Sequence, residues 1–137
     1  MGNKLKTYRK LKNLFKFEEY LQFGSKTEQQ TYTKFRISAH DLRIERGRYE
    51  GLKVEDRICN TCNLNIEDEF HFLMICSPLD NCRAKYFNII KRLYTNFENL
   101  STEDKFIWLL SCEDKEIISL TSKILIDLSK ERKQRIT

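Results

Sequence analysis

Proline is almost missing from this sequence, which has one, Pro78, among 137 residues. The composition is 40% hydrophobic and 33% charged, which leaves little room for a low-complexity linker and favours one folded domain. No apolar run approaches the roughly 18 residues that a membrane span needs. The first residues, from Met1 to Lys6, lead into no apolar signal core. We therefore expect no membrane partner and an intracellular location, in the nucleus or the cytoplasm.

The sequence also lacks the even number of cysteines that a fully paired disulfide framework needs. The chain has five cysteines and no secretory signal, so thiolates or free thiols explain them better than disulfide bonds. Cys82 and Cys112 stand apart from the other three. Because Cys82 falls within an apolar helical stripe, we interpret it as a small buried hydrophobic residue.

The remaining cysteines and one histidine have spacings typical of zinc ligands: Cys59, Cys62, His71 and Cys76. The Cys-x2-Cys spacing lets a tight turn aim both thiolates at one ion. Four such ligands form a closed tetrahedral Zn²⁺ site, which stabilises a fold and leaves no open position for hydrolysis. A cysteine nucleophile or a redox dithiol is disfavoured, because no third orienting group and no βαβ pattern are visible. The sequence predicts a structural zinc centre.

The residues between His71 and Cys76 suit a short helix that begins at the histidine and ends at the cysteine. Glu67, Asp68 and Glu69 precede it, where carboxylates stabilise a helix N-terminus. One of them could instead accept the second imidazole N–H. His40 we interpret as a structural histidine rather than a metal ligand or a nucleic-acid contact.

Helical periodicity precedes the cysteines. Residues 4–16 predict a basic amphipathic helix, which Gly24 ends. The segment Ser25-Lys26-Thr27-Glu28 is a capping box, and the helix that it starts has apolar positions up to Leu42. The segment from Arg46 to Gly51 predicts a turn-rich connection to the cysteines.

Helical periodicity also follows the cysteines. Apolar positions from Leu79 to Phe97 predict one helix, and a short helix capped by Ser101 or Thr102 ends near Cys112. The last helix has its apolar stripe from Ile117 to Leu128. The predicted fold is mostly α, a small helical domain with one zinc-binding knuckle and little or no β. Its parts are residues 1–24, 25–98 and 99–137, the last packing on the middle part within a single domain.

The net charge of +5 and the pI near 8.9 favour an anionic partner such as nucleic acid. A more specific signal lies in Thr33–His40, Arg46–Tyr49, Glu55–Cys59, Glu67–Phe72, Cys76 and Arg83. Together these residues resemble the zinc-binding domain that follows the polymerase in non-LTR retrotransposon reverse transcriptases. The resemblance covers residues 30–85.

In that family the Cys-Cys-His-Cys module lies beside the polymerase and is thought to help hold RNA or target DNA. The resemblance therefore implies phosphate contacts by five arginines: Arg36, Arg43, Arg46, Arg48 and Arg57. The alternative is that some of them, Arg48 and Arg57 especially, brace the zinc loops through carbonyls or through Glu55 and Asp56.

The sequence also departs from that family. It has no paired-aspartate polymerase motif, and no Pro-Asp endonuclease signature follows Cys76. We expect no enzymatic activity.

The leading hypothesis is a non-catalytic, zinc-stabilised domain that binds RNA or DNA. The alternatives are a protein-interaction module, which docks a partner or a second copy through Trp108 and the first helix, and an inactive transposon remnant. The oligomeric state stays open.

Overall fold

The computed structural model describes residues 25–136, which form α-helices joined by short turns. The α-helices are α1 (Lys26–Arg36), α2 (Arg43–Tyr49), α3 (Asp80–Leu93), α4 (Thr102–Ser111) and α5 (Lys115–Ile136). Shorter helical turns are the π-helix His71–Ile75 and the 3-10 helices Val54–Asp56, Ser77–Leu79 and Thr95–Asn99. Over this range no strand forms, and Ile58 and Ile66 make an isolated antiparallel bridge. The predicted mostly helical fold is confirmed.

Two helix starts follow the predicted capping pattern. At α1, the Ser25 hydroxyl accepts a hydrogen bond from the Glu28 amide at 3.1 Å, and the Glu28 carboxylate accepts one from the Ser25 amide at 3.3 Å. At α4, the Ser101 hydroxyl accepts a hydrogen bond from the Asp104 amide at 3.1 Å. These bonds satisfy backbone donors that a helix start leaves without partners. The basic helix predicted for residues 4–16 lies outside the described residues.

The region between α1 and the cysteines differs from the prediction. Helix α1 ends at Arg36 rather than continuing to Leu42, because Ser38 takes a left-handed backbone conformation with φ of 61°. The Ser38 hydroxyl then donates a hydrogen bond to Glu69 at 2.9 Å. A second helix, α2, occupies the place of the predicted turn-rich connection.

Gly47 lies inside α2, although the sequence around it predicted a turn. A Cβ atom at this position would lie 2.4 Å from Cγ of Arg57 and 2.9 Å from its Cδ. The missing side chain therefore makes room for the buried Arg57. Close packing, rather than a turn conformation, explains this glycine.

The helix after Pro78 also ends earlier than predicted. Helix α3 ends at Leu93, and Phe97 lies in the 3-10 turn that follows, where it is still buried. The hydrophobic pattern continued through Phe97 because the turn places it in the same core. Periodicity alone does not separate a helix from a following turn that packs on the same side.

Helix α5 is the element on which the described fold is assembled. It contacts α1, α3, α4 and the turns that carry His71 and Pro78. Its buried side chains belong to the same core as Leu73 and Leu79, and include Ile117, Ile118, Ile124, Leu125 and Leu128. The last helix thus lies directly behind the cysteine-rich stretch. Among residues 25–136 every helix is too short or too polar to cross a membrane.

Candidate metal centre

The Cys59–Cys62 segment forms a tight turn that closes on itself. The Asn63 amide donates to the Cys59 carbonyl at 2.9 Å, and the Cys59 amide donates to the Asn65 carbonyl at 2.8 Å. Asn63 has φ of 59°, a left-handed conformation that asparagine tolerates better than most residues. The Thr61 amide points at Cys59 Sγ, 3.4 Å away. The turn therefore holds two sulfurs on one side and directs an amide dipole toward one of them.

The other two candidate ligands lie at the two ends of the π-helix, as the sequence predicted for a short helix. The Asp68 carboxylate accepts a hydrogen bond from the His71 amide at 2.8 Å, so it caps the helix start. The Cys76 amide donates to the His71 carbonyl at 2.9 Å. This wider turn brings His71 and Cys76 to the same side as the cysteine pair.

The four candidate ligand atoms converge, and all lie within 4.8 Å of one another. Cys59 Sγ lies 3.8 Å from Cys76 Sγ, and Cys62 Sγ lies 3.4 Å from Nε2 of His71. Tetrahedral zinc, with Zn–S bonds of about 2.3 Å and Zn–N bonds of about 2.1 Å, places two sulfurs about 3.8 Å apart and a sulfur and a nitrogen about 3.6 Å apart. Both pairs match these separations, while the widest separation exceeds the ideal by about 1 Å.

None of the three thiols of this cluster forms a disulfide bond; Cys59 and Cys76 are buried, and Cys62 is half-buried. Burial raises the pKa of the Cys76 thiol, and the neighbouring Cys59 and Cys62 raise it further. Several thiolates at this distance repel one another unless a cation lies between them, and a bound divalent cation reverses this preference. The donor set therefore suits a metal ion, and the predicted convergence of the four residues is confirmed.

Glu67 lies beside the cluster, but it does not reach His71. Its carboxylate accepts hydrogen bonds from Arg132 Nε at 2.7 Å, from Arg132 Nη2 at 2.8 Å and from the Arg43 amide at 2.7 Å. One oxygen also lies 3.5 Å from Cys59 Sγ. Both side chains of the Glu67–Arg132 ion pair are almost fully buried. The pair therefore fixes the cysteine turn to helix α5.

Arg132 is a residue that sequence reasoning missed. From the sequence, the basic end of the last helix, Lys130 to Arg135, either stabilises the helix dipole or contributes to an electropositive face. The partner, Glu67, is 65 residues away, and no local pattern connects two such positions. Burial alone would lower the pKa of Arg132, but the hydrogen bonds that it donates to Glu67 and the charge of that carboxylate raise the pKa above its usual value, so the guanidinium stays charged.

Arg83 fastens the other half of the cluster. Its guanidinium donates to the carbonyls of Leu73 at 2.7 Å, Phe72 at 3.0 Å and Cys76 at 3.1 Å. These carbonyls belong to the π-helix and the residue after it. A buried guanidinium that satisfies three carbonyls holds this irregular backbone in place.

Two of the five arginines predicted to contact phosphate are buried, Arg36 and Arg57. Arg57 donates to the carbonyl of Ile44 at 2.9 Å, and through Nε and Nη2 to the carbonyl of Leu52 at 3.1 and 2.9 Å. These bonds brace the loop between α2 and Cys59. These contacts agree with the alternative interpretation, in which Arg57 braces the zinc loops through backbone carbonyls.

The other three arginines lie together on α2. Arg43 makes two hydrogen bonds to Glu50, at 3.2 and 2.9 Å. Arg48 donates to Glu45 at 3.3 Å and lies over the ring of Tyr49 at 4.7 Å. Arg46 is exposed. The structure therefore does not gather the five arginines on one surface.

The remaining histidine and cysteines stand outside the cluster. His40 contacts the buried carboxylate of Glu69 through Nε2, in agreement with a structural role. Cys82 and Cys112 are half-buried, and burial raises the pKa of both thiols. Cys82 packs against the core, as its position in an apolar stripe suggested.

The fold and the cluster together define a class of protein: a small helical domain with a largely buried Cys3His cluster that could bind a metal ion. Comparisons with protein-family models, with curated proteins and with solved structures found no significant match to the chain. The resemblance to the reverse transcriptase domain stays a prediction.

Proposed function

We propose that the chain is a non-catalytic, zinc-stabilised domain that binds RNA or DNA and derives from a retroelement reverse transcriptase. The observation that carries the zinc part is the convergence of three sulfurs and an imidazole nitrogen within 4.8 Å. Cys3His is a common donor set of structural zinc, and thiolate ligands favour soft or borderline cations over Mg²⁺ or Ca²⁺.

A structural role suits this cluster better than a catalytic one. Four protein ligands complete a tetrahedron and leave no position for water or substrate. Cys59, Cys76 and His71 are each less than 5% exposed, which also keeps solvent away from three of the ligands. Zinc in such a site contributes on the order of 10 kcal/mol to folding, comparable to the whole stability of a small domain.

The nucleic-acid part is supported by charge and by the family resemblance. The chain carries 25 basic and 20 acidic residues, a net charge of +5. A basic domain gains affinity for a polyanion by releasing condensed counterions from phosphates. The resemblance of residues 30–85 to a module that lies beside a polymerase points to the same class of partner.

Salt dependence tests this proposal. The zinc-loaded chain is titrated into fluorescein-labelled single-stranded RNA, single-stranded DNA and duplex DNA, and binding is followed by fluorescence anisotropy. We expect binding at low salt that weakens steeply as salt rises, because each phosphate contact contributes about −0.7 to −0.9 to the slope of log K against log salt. Absence of binding at low salt, or binding independent of salt, would reject nucleic-acid recognition.

An apolar pocket favours a second candidate, a protein-interaction module. Leu93, Tyr94, Phe97, Leu100 and Trp108 line a cavity of about 420 Å³, and Leu93 is 46% exposed. Exposed aromatic and aliphatic groups of this kind serve as interface anchors. If this pocket mediates self-association, sedimentation velocity will detect a dimer that Leu93→Asp dissociates. A monomeric wild type at high concentration would count against pairing of two copies.

A further inference from the structure

Helices α1 and α5 lie side by side and run in the same direction. Near their starts, the Ser119 hydroxyl donates to the Glu28 carboxylate at 2.9 Å. Just after the end of α1, the Asp41 carbonyl accepts a hydrogen bond from Arg132 at 3.4 Å. The start of α1 therefore contacts the start of α5, and the loop after α1 contacts the end of α5. A surface pocket lies between the C-terminal halves of the two helices.

We name this pocket the α1–α5 groove; it has a volume of about 420 Å³, and its lining combines apolar side chains such as Leu125 with the polar or charged residues Thr31, Lys34, His40, Asp41, Ser129 and Lys133. Lys34 from α1 and Lys133 from α5 bring a positive charge to each wall, and both residues are exposed. Ser129 and Thr31 add hydroxyl groups. Two lysines against one aspartate, Asp41, give the lining a net positive charge, which favours an anionic ligand.

Further lysines continue the positive charge along α5. Lys123 and Lys130 are exposed. Since successive residues of an α-helix are about 100° apart around the helix axis, Lys123, Lys130 and Lys133 lie within an arc of about 80° on one side of α5. This arc adjoins the buried stripe on the side of Leu125 and Ser129, which line the groove. From Lys123 to Lys133 the helix rises by about 15 Å. A row of this length can accompany a polyanion rather than a single phosphate.

The acidic groups near the groove have basic or hydroxyl partners. The carboxylate of Glu28 accepts from Ser119 and is also bound in the helix cap. Asp41, which itself lines the groove, lies 3.8 Å from the guanidinium of Arg132, and Glu131 accepts from Arg135 at 2.9 Å. These pairings reduce the negative field that would otherwise oppose an anion in the groove.

We infer that the α1–α5 groove is the surface that contacts the phosphate backbone of the nucleic acid, with Lys34, Lys123, Lys130 and Lys133 as its cationic contacts. The inference rests on the proposed function and assigns it to a surface other than α2. Arg57 donates to buried carbonyls and Arg43 to Glu50. The four lysines are exposed at the surface, and a lysine side chain acts as a point charge for phosphate. Contacts of this kind bind without reading base sequence.

Two triple variants of the full, zinc-loaded chain test this assignment. The groove variant carries Lys34→Gln, Lys130→Gln and Lys133→Gln. The matched control carries Lys53→Gln, Arg92→Gln and Lys115→Gln, which are exposed positions away from the groove and remove the same charge. Circular dichroism and zinc content establish that both variants are folded. Binding to labelled single-stranded RNA and duplex DNA of two unrelated sequences is then measured across a salt series.

For the groove variant we expect a slope of log K against log salt that is shallower by roughly 2 to 3, equally on unrelated sequences. The control variant should keep the wild-type slope to within about 0.5, because its charges do not contact the ligand. Equal losses in the two variants, or no loss in the groove variant, overturn the groove while leaving nucleic-acid binding in place. A wild type that binds no nucleic acid overturns the proposed function itself.

A further experiment offers the wild-type chain vesicles with 30% phosphatidylserine. Binding to vesicles without binding to nucleic acid also overturns the inference.

Discussion

At the residue scale, the Glu67 carboxylate links the cysteine turn to two helices. It contacts Cys59 Sγ, the first amide of α2 and the guanidinium of Arg132 on α5. A buried acid beside a thiolate is unfavourable unless a cation compensates it, and Arg132 provides that charge. The Cys3His cluster is therefore connected through Glu67 to an ion pair with the last helix.

Removing Arg132 tests how much this connection stabilises the fold. Arg132→Met should reduce the free energy of unfolding by about 3 to 5 kcal/mol, because it leaves the buried Glu67 carboxylate without its cation. The matched control is Arg135→Met, which breaks an exposed pair with Glu131 and should cost under about 0.5 kcal/mol. Urea unfolding of the zinc-loaded proteins measures both, and a similar small cost for the two would show that Glu67 does not depend on Arg132.

Cysteine substitutions separate cluster members from the other thiols. Cys62→Ser should lower zinc content and helicity together, because a hydroxyl is a poor ligand for zinc and the fold depends on the closed site. Cys112→Ser, at a half-buried thiol outside the cluster, should keep one zinc per chain. Metal analysis and far-UV circular dichroism of the two variants provide the measurement. Full zinc content in Cys62→Ser would remove Cys62 from the ligand set.

At the scale of single elements, local signals predicted the structure where the determining residues are neighbours in sequence. Ser25 and Ser101 start helices because each hydroxyl reaches an amide three residues ahead. The tight turn of the cysteine pair and the short helix that begins at His71 were predictable for the same reason. The end of α1 was not, since Ser38 is fixed by a hydrogen bond to Glu69, 31 residues away. Likewise, nothing near Arg57 in the sequence reveals that its guanidinium binds the carbonyl of Ile44.

Helix α2 offers a test in which two effects have opposite signs. By helix propensity, Gly47→Ala should stabilise an exposed helix by about 1 kcal/mol. The new Cβ would instead lie 2.4 Å from Cγ of Arg57, whose side chain is held by hydrogen bonds. We expect a net destabilisation of about 1 to 3 kcal/mol from overpacking.

Chemical denaturation of Gly47→Ala measures that balance. Gly51→Ala is a useful comparison, because Gly51 has φ of 77° and open space around its Cβ position, so only backbone strain of about 1 to 2 kcal/mol applies. An increase in stability for Gly47→Ala would mean that Arg57 does not need the space at this glycine.

At the scale of the whole molecule, the cluster and the hydrophobic core stabilise each other. Helix α5 packs on α1, α3 and α4, while Arg132 from the same helix holds Glu67 beside Cys59. Arg83 of α3 holds the carbonyls of the π-helix that carries His71. Loss of the metal should therefore loosen the contacts of helices that are far from the cysteines in sequence. The α1–α5 groove and the pocket around Trp108 are the two surfaces that we propose for a partner.

The central claim, that a metal ion in the Cys3His cluster stabilises this helical domain, is tested most directly by thermal unfolding with and without a chelator. The protein is prepared under reducing conditions, its zinc content is determined, and melting is followed by far-UV circular dichroism before and after complete metal removal. We expect one zinc per chain, and a cooperative transition that is lost or shifted far downward once the metal is removed, because the site contributes about 10 kcal/mol or more to folding. An unchanged melting temperature after complete removal would contradict this account.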